Sequence, residues 1–200
     1  MRVRPLATAD LPMLIEIDGA IESERYLHLA REVPEHDAAT EMLQITWKLE
    51  ERDLREPLNE PNRLDDETSE LAFAYRQVVG GIEEGIALCM EDDDLPIATL
   101  LAAHRPERGV IELLDLRVDY DQRREGFAQA MLFELLTKLR ESEGDDKPRA
   151  VLAAVPAGNV PMHRLLQRCG FELSGFDEKR QSNFDLVKEQ ATMLWYLETE

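Results

Sequence analysis

Basic residues are scarce in this sequence, and lysine is the scarcer of the two basic types. The 200 residues include 42 Asp and Glu but only 23 Lys and Arg, which gives a formal net charge of −19. The lysines are Lys48, Lys138, Lys147, Lys179 and Lys188. Nucleic acids and anionic membrane surfaces are bound through basic faces, so the composition argues against both as partners. The same field would attract a cationic substrate, although solubility in a salt-rich cytoplasm is the leading explanation of the charge itself.

Cysteine and long apolar runs are also scarce. Cys89 and Cys169 are too few for a disulfide framework and show no metal-ligand spacing, so we expect buried thiols in a reducing cytoplasm and no bound metal. The longest stretch without an acidic or basic side chain, histidine aside, is Ala150–His163. That stretch is shorter than the roughly 20 residues of a membrane-spanning helix, and the N-terminus has no signal-peptide pattern. We therefore expect a cytoplasmic protein with one domain over residues 1–200.

Hydrophobic periodicity and turn residues predict strands and helices over most of the chain. The predicted strands are Arg2–Pro5, Gly85–Met90, Ile97–Ala103, Val110–Val118, Ala150–Val155, Phe171–Phe176 and Thr192–Leu197. The predicted helices begin near Thr8, at Leu71, at Gly126 and after Asn159. The three strands between Gly85 and Val118 would form a β-meander, and the wholly apolar Ala150–Val155 is typical of a buried central strand.

Residues 19–65 have a less distinct pattern. Alternation in Tyr26–Arg31 and Leu43–Glu50 favours a β-hairpin, with a helix through Ala38–Leu49 as the alternative. The prolines and asparagines of Arg55–Asp66 predict a loop.

The most informative segment is Leu116–Ala128, where a strand ends, a polar turn follows and a helix begins at Gly126. The first N–H groups of a helix are free and the positive end of its dipole lies there, so such a turn can bind phosphate. Arg123 and Arg124 add two cations at this point of an acidic chain. Solvated arginines at an ordinary helix start would give the same pattern, so spacing alone leaves both interpretations open.

The motif Arg-x-x-Gly-x-Ala at Arg123, Gly126 and Ala128 resembles the acyl-CoA loop of the GNAT-type N-acetyltransferases. The preceding strand, with Leu116 and Val118 two residues apart, resembles the fourth strand of that family. The helix after Gly126 resembles the family's third helix.

Asn159 and the later Cys169-Gly170-Phe171 resemble the next signature of the same family, in which an Asn opens a helix that closes on Gly-Phe. The first strand and helix fit the family as well. The resemblance covers about residues 1–18 and 85–176, and it leaves residues 19–65 as the part expected to be specific for the acceptor.

The resemblance implies an α/β fold with a mixed, mostly antiparallel central sheet, flanking helices and a splay between strands 4 and 5. It implies transfer of an acetyl group from acetyl-CoA to a primary amine of a small molecule or peptide by direct attack. Acetyl-CoA would be held by strand and loop backbone groups and by the Asn of the second signature. The implied residues are Leu116, Arg117, Val118, Arg123, Arg124, Glu125, Gly126, Phe127, Ala128 and Asn159.

Glu112 and Asp115, on the strand before the loop, are candidates for the base that takes the proton of the amine. In the histone-type branch of the family a catalytic Glu occupies the position of Glu112, which we therefore favour. Residues three apart point to opposite faces of a regular strand, so only one of the two faces the acceptor unless a bulge intervenes.

The sequence departs from the family at the general acid. Many members carry a Tyr at the position of Leu166, and leucine cannot donate a proton to the leaving thiolate. His163, Tyr120 or a water would have to substitute, and otherwise His163 would be an exposed helix histidine. Asp185 and Glu189 lie in a segment that often edges the acceptor site of this fold. The alternative function is a non-catalytic acyl-CoA-binding module, and a homodimer stays open.

Overall fold

The computed structural model describes residues 1–32, 46–62, 64, 68–93, 95–142, 147–178, 180 and 191–199. The strands are β1 (Arg2–Pro5), β2 (Ile21–Glu32), β3 (Thr46–Glu60), β4 (Gly85–Asp92), β5 (Leu95–Arg105), β6 (Val110–Val118), β7 (Ala150–Pro156), β8 (Glu172–Asp177) and β9 (Thr192–Glu198). The α-helices are α1 (Glu70–Val79), α2 (Phe127–Glu141) and α3 (Val160–Arg168), and 3₁₀ helices span Thr8–Glu16 and Tyr120–Gln122.

The central sheet has the strand order β1-β4-β5-β6-β7-β9-β8, and β2 and β3 form a separate two-stranded sheet. Among the described strands of the central sheet, the β6–β7 pair alone is parallel. The predicted fold class, a mixed and mostly antiparallel sheet with flanking helices, is therefore confirmed.

The strands β6 and β7 are paired only at their beginnings. Parallel pairing joins Val110–Leu113 to Ala150–Ala153 and goes no further, while β6 continues to Val118 and β7 to Pro156. These are the fourth and fifth strands of the central sheet in chain order, because the hairpin β2–β3 stands outside it. The expected splay between strands 4 and 5 is present, and it opens a gap at the end of both strands.

Apolar side chains cover both faces of the sheet. On one face, Met131 and Leu135 of α2 pack with Leu100 of β5. On the other face, Tyr75 of α1 packs with Leu101 of β5. Adjacent residues of a strand point to opposite faces, so the apolar run of β5 is buried on both faces of the sheet. The gap beside β6 is therefore flanked by a strand that packs on both sides.

The hairpin is longer than the sequence predicts. β3 extends through Arg55–Glu60, so the predicted loop is wrong over those residues. The alternative helix is wrong over residues 46–49, and residues 38–45 lie outside the described part. The loop signal has a physical origin, because the pairing with β2 skips from Asp53 to Leu58. Pro57 lies in this unpaired stretch, where its missing N–H breaks no ladder hydrogen bond.

The two thiols differ in environment. Cys89 is buried, and burial raises the pKa of its thiol to about 11. Cys169 is only half-buried, so the expectation of two buried thiols is right for the first alone. Among the helices described, none is long and apolar enough to cross a membrane. Within the same residues, no three His, Cys, Asp or Glu side chains are grouped as metal ligands.

Candidate active site

The gap exposes one edge of β6 inside the central sheet. Past Leu113, β6 still pairs with β5, with Leu116 opposite Leu100 and Val118 opposite Ala98. In the described part of the chain, no strand pairs with its other edge over residues 114–118. Unpaired backbone N–H and C=O groups need other polar partners, and an extended ligand with amide groups could supply them.

The loop after β6 leads into an uncapped helix. Gly126 is the N-cap residue of α2, with φ 89° and no side-chain hydrogen bond to the helix, and Arg124 also has a positive φ of 72°. Within the described ranges, no acceptor meets the amide N–H groups of Arg124, Glu125 and Gly126. Successive N–H groups in such a turn form a concavity that binds anions. Phe127 and Ala128 of the first helical turn are half-buried against the core, which anchors this concavity to the sheet.

The two arginines of the loop have different surroundings. Arg123 donates from Nε to the carbonyl of Val118 at 3.1 Å and from Nη2 to the carbonyl of Asp18 at 2.8 Å. Its guanidinium also lies 5.0 Å from the ring centre of Tyr120. Arg124 is exposed and, among the described residues, makes no hydrogen bond or ion pair. The sequence does not distinguish Arg123 from Arg124. In the structure, the Arg123 guanidinium is bound to two carbonyls, and the Arg124 guanidinium remains available to a phosphate.

In the turn after β7, the polar groups of Asn159 are hydrogen-bonded within the turn itself. Asn159 is the N-cap of α3, as the sequence predicts, and its side chain accepts from the N–H of Met162 at 3.2 Å. Its own N–H donates to the carbonyl of Pro156 at 2.9 Å. Asn159 lies on the β7 side of the gap, and its contact with acyl-CoA stays a prediction.

His163 is buried, which corrects the expectation of an exposed helix histidine. Its Nδ1 accepts from Nε1 of Trp195 at 2.9 Å, so the proton is on Nε2, which lies 3.0 Å from the carbonyl of Pro156. Burial lowers the pKa of the imidazole to about 4. The His163 ring is therefore neutral, and both of its nitrogens are hydrogen-bonded. It stabilises the turn after β7 and has no unbound N–H that could protonate a leaving group. Leu166, where many family members have Tyr, is fully buried in the core.

A β-bulge at Leu114 decides which faces the two candidate bases occupy. In the pairing with β5, Glu112 lies opposite Ala103 and Asp115 opposite Leu101. Those β5 partners are two residues apart and share a face, so Glu112 and Asp115 share one too. The three-residue spacing would separate them on a regular strand. Both therefore lie on the face that α1 covers.

Glu112 is held by two arginines. Its Oε2 accepts from Nε of Arg105 at 3.0 Å, and its Oε1 accepts from Nη2 of Arg180 at 3.3 Å. Glu112 lies before the last pair of β6 and β7, so strands flank it on both sides. This carboxylate is enclosed by the sheet and by the two guanidinium groups.

Asp115 is held by a tyrosine and an arginine. Its Oδ2 accepts from Nε of Arg117 and from the hydroxyl of Tyr75, both at 2.7 Å. Arg117 is buried and also donates to the side chain of Asn62. The sequence offers no signal for Tyr75 or Asn62, because nothing local distinguishes them from other residues of a helix and a predicted loop. Arg117, which the sequence names among the cofactor-binding residues, has its side chain in this network, and its contact with acetyl-CoA stays a prediction.

The hairpin spans the open end of the gap. On the β6 side, the N–H of Asp18, just before β2, donates to Oδ2 of Asp119 at 3.2 Å. On the β7 side, the N–H of Leu27 donates to the carbonyl of Ala157 at 3.0 Å. Further contacts are Tyr120 with Glu22, Arg164 with Glu51, and Trp47 with Phe176. Asp185 and Glu189 lie outside the described residues.

Comparison with known proteins agrees with this geometry. A model of the acetyltransferase (GNAT) family matches residues 40–171. No curated protein matches the sequence. A protein from Bacillus anthracis assigned as a streptothricin acetyltransferase, in complex with acetyl coenzyme A, superposes with a TM-score of 0.72 at 16% identity, covering 98% of this chain and 96% of that one.

Two further structures show the same fold. A nourseothricin acetyltransferase has a TM-score of 0.72 at 14% identity, with 100% of this chain and 98% of that chain covered. The ribosomal-protein-S18-alanine N-acetyltransferase from Escherichia coli has a TM-score of 0.61 at 16% identity, with 100% and 94% covered. At these identities the likeness concerns the fold. Because the family match spans more than half of the sequence, the chain belongs to the GNAT acetyltransferase family.

Proposed function

We propose that this protein transfers an acetyl group from acetyl-CoA to a primary amine of a small molecule or peptide. The observation that carries the proposal is the gap between β6 and β7, which ends at the uncapped start of α2. The free edge of β6 offers hydrogen bonds to the amides of a pantetheine arm, and the open amides of residues 124–126 offer them to its pyrophosphate. The residues that we propose for acetyl-CoA binding are those named from the sequence.

The chemistry requires a nucleophilic amine and a stabilised oxyanion. An alkylammonium has a pKa of about 10.4 and no lone pair, so a proton must leave before or during attack. The nitrogen then bonds to the carbonyl carbon, the C–S bond breaks, and the thiolate takes the electron pair. An unpaired N–H of β6 is the donor that we propose for the carbonyl oxygen as its negative charge develops.

Two carboxylates are the candidate bases, and no tyrosine stands in the family's acid position. Glu112 and Asp115 share the face under α1, so both carboxylates lie on the same side of the sheet. His163 has both nitrogens engaged, and we therefore leave it out of the proton transfer. A thiol pKa of about 8.5 makes the thiolate a tolerable leaving group, so Tyr120 or a water suffices as proton donor.

The acceptor side is the part that we assign to the hairpin. We assign residues 19–65 as the elaboration of a single domain over residues 1–200. β2 contacts the β6 side of the gap through Glu22 and Tyr120, and it contacts the β7 side through the N–H of Leu27 and the carbonyl of Ala157. The structural neighbours include acetyltransferases for streptothricin and nourseothricin and one for the alanine of a ribosomal protein. A cationic amine fits this range and the acidic chain. We expect the protein to act in the cytoplasm.

The test is the release of free CoA thiol from acetyl-CoA with a panel of amines. The panel contains spermidine, lysine, an alanine-initiated peptide, streptothricin and nourseothricin, and glycerol serves as a hydroxyl control. Thiol release above the rate of hydrolysis with at least one amine, and an acetylated product by mass spectrometry, is the expected result. Tight binding of acetyl-CoA by calorimetry without turnover of any amine would favour the alternative, a non-catalytic acyl-CoA-binding module.

A further inference from the structure

Tyr75 carries a buried hydroxyl that the proposed chemistry does not yet use. The residue is 1% exposed, on α1, and its hydroxyl lies 2.7 Å from Oδ2 of Asp115 and 3.2 Å from Oγ1 of Thr99. Thr99 gives its own proton to the carbonyl of Leu88 at 2.9 Å. The shorter distance and the charge of the carboxylate favour donation from Tyr75 to Asp115. Burial and the charge of Asp115 raise the pKa of the phenol well above its usual range, so the hydroxyl stays a donor.

Asp115 is fixed from a second direction by Arg117. The two make a bidentate pair, with Nε to Oδ2 at 2.7 Å and Nη2 to Oδ1 at 3.2 Å. Asn62 accepts from Arg117 and donates to the carbonyls of Ile15 and Ile17 at 3.3 and 3.2 Å. The carboxylate is thus oriented by Tyr75 of α1 and by Arg117 of β6, and Asn62, two residues after β3, fixes Arg117 in turn. Within the described residues, Oδ1 accepts the longer bond alone and keeps a lone pair for an incoming N–H.

The position of Asp115 along β6 distinguishes it from Glu112. The last residues that pair across β6 and β7 are Leu113 and Ala153. Asp115 comes after that pair, where the gap has opened, and Glu112 comes before it. An amine that attacks a thioester lying in the gap therefore meets Asp115 where the strands part. Among the described residues, the charged groups near Asp115 on this face include its partner Arg117, Glu112 with Arg105 and Arg180, and Glu83, which pairs with Arg105.

We infer that Tyr75 is a positioning residue for acyl transfer, and that its hydroxyl holds Asp115 as the carboxylate that takes the proton of the attacking amine. The inference rests on the proposed function. An ammonium acceptor first loses one proton to solvent, which gives the neutral amine. The amine nitrogen then forms the new C–N bond, the C–S bond breaks, and the thiolate takes that electron pair. The second N–H proton passes to Oδ1 of Asp115, and the thiolate takes a proton from water. Asp115 then returns its proton to solvent. Tyr75 gives up no proton and only fixes the carboxylate.

A double-mutant cycle tests whether Tyr75 acts through Asp115. The acceptor is the amine of the panel with the highest turnover. We expect Asp115→Asn to lower kcat/KM for the amine at least about 100-fold and Tyr75→Phe to lower it about 10-fold. The variant with both changes should be no slower than Asp115→Asn alone. A tyrosine that merely stabilises the fold would lower the rate by the same factor in both backgrounds.

Matched controls separate this effect from folding. Thr99→Val removes the other neighbour of the Tyr75 hydroxyl, and we expect kcat/KM within about 2-fold of the parent protein. Calorimetry with acetyl-CoA should give the same Kd for all these variants, and thermal unfolding shows that each is folded. Full activity in Tyr75→Phe, or a larger loss in Glu112→Gln than in Asp115→Asn, would overturn the inference and leave the proposed function intact. Absence of turnover with every amine would overturn both.

Discussion

Two helices, α2 and α3, begin at the open end of the gap between β6 and β7, and their first turns differ. The N-cap of α2 is Gly126, which has no side chain to satisfy the free amides, and the loop before it carries an exposed arginine. The N-cap of α3 is Asn159, whose side chain accepts a hydrogen bond from the first turn, and Pro161 lies in that turn. His163, one turn on, ties the same turn to β7.

We name residues 123–126 with the first turn of α2 the α2 wall, and residues 156–159 with the first turn of α3 the α3 wall. The two walls differ in whether their backbone N–H groups already have partners within the protein. Free N–H groups and the dipole of α2 remain available to an anion, because no group of the described protein satisfies them. At α3 the polar groups are used internally, so that turn presents a fixed surface and little residual charge. The pyrophosphate is therefore expected at α2, and the shape of the gap depends on α3. The arginine and glycine variants change the α2 wall, and the His163 variant changes the α3 wall.

The largest effect is expected from reversing the charge of the α2 wall. Arg123→Glu with Arg124→Glu should weaken binding of CoA by at least about 2 kcal/mol, because charge-assisted hydrogen bonds are lost and repulsion is added. Arg140→Glu, at the other end of α2, makes the same kind of charge reversal and should leave the affinity near that of the parent protein. Calorimetry measures both, and an unchanged Kd in the double variant would remove the phosphate-loop assignment.

Single alanine variants separate the contributions of Arg123 and Arg124 to the affinity for CoA. Arg124→Ala should account for most of the lost affinity, because its guanidinium is free. Arg123→Ala should mainly lower the free energy of unfolding, since it loses the bonds to Val118 and Asp18. The reverse assignment would mean that the loop rearranges when CoA binds.

The second prediction concerns the α3 wall and pH. The pKa of His163 is lowered from 6.5 to about 4 in the folded protein. Below pH 6.5 the unfolded chain therefore takes up a proton that the folded chain does not, and stability falls as the pH drops toward 4. The contribution of His163 to this loss is about 2 kcal/mol between pH 8 and pH 5. His163→Gln should remove that part of the pH dependence in urea unfolding.

The control for the second prediction is Trp195→Phe. It removes the donor to Nδ1 and should lower stability at neutral pH, but His163 stays buried and titratable, so the loss on acidification should persist. If His163→Gln shows the same pH dependence as the parent protein, His163 is not the neutral buried group described above. The affinity for CoA serves as the reference from the other wall.

The smallest effect is expected at two glycines of the same conformation. Gly126 has φ 89° and Gly81, at the end of α1, has φ 70°, and a Cβ at either position meets no heavy atom within 4 Å. Alanine should therefore cost about 1 kcal/mol of unfolding free energy at both positions, from backbone strain alone. Only Gly126→Ala should also weaken CoA binding, by about 5-fold. Equal affinities in the two variants would contradict the placement of the pyrophosphate.

The α2 wall could be predicted from the sequence, whereas the α3 wall could be predicted only in part. The glycine that begins α2 and the Asn cap of α3 both lie where local patterns predict them, since caps and turns depend on residues a few positions apart. The burial of His163 depends on Trp195, which is 32 residues away. A helical pattern contains no information about which strand covers it.

The positions of Glu112 and Asp115 show more clearly what the sequence cannot predict. Alternation along β6 predicts opposite faces for Glu112 and Asp115, and one extra residue at Leu114 places them on the same face. The contact between Tyr75 and Asp115 joins residues 40 positions apart. Neither the bulge nor the contact leaves a mark in the local pattern, so a base chosen from sequence alone rests on the family resemblance.

The sequence by itself determined the order of the strands and helices, the uncapped helix start at Gly126 and the family. Those features arise from backbone preferences and burial patterns that neighbouring residues encode. The tertiary structure decided that the Arg124 guanidinium has no partner among the described residues, that Asp115 lies where the gap opens, and that the buried His163 links α3 to β7. Those properties depend on contacts between segments that are distant in the sequence. A side chain can bind a ligand or transfer a proton only with the groups that are not already hydrogen-bonded within the protein.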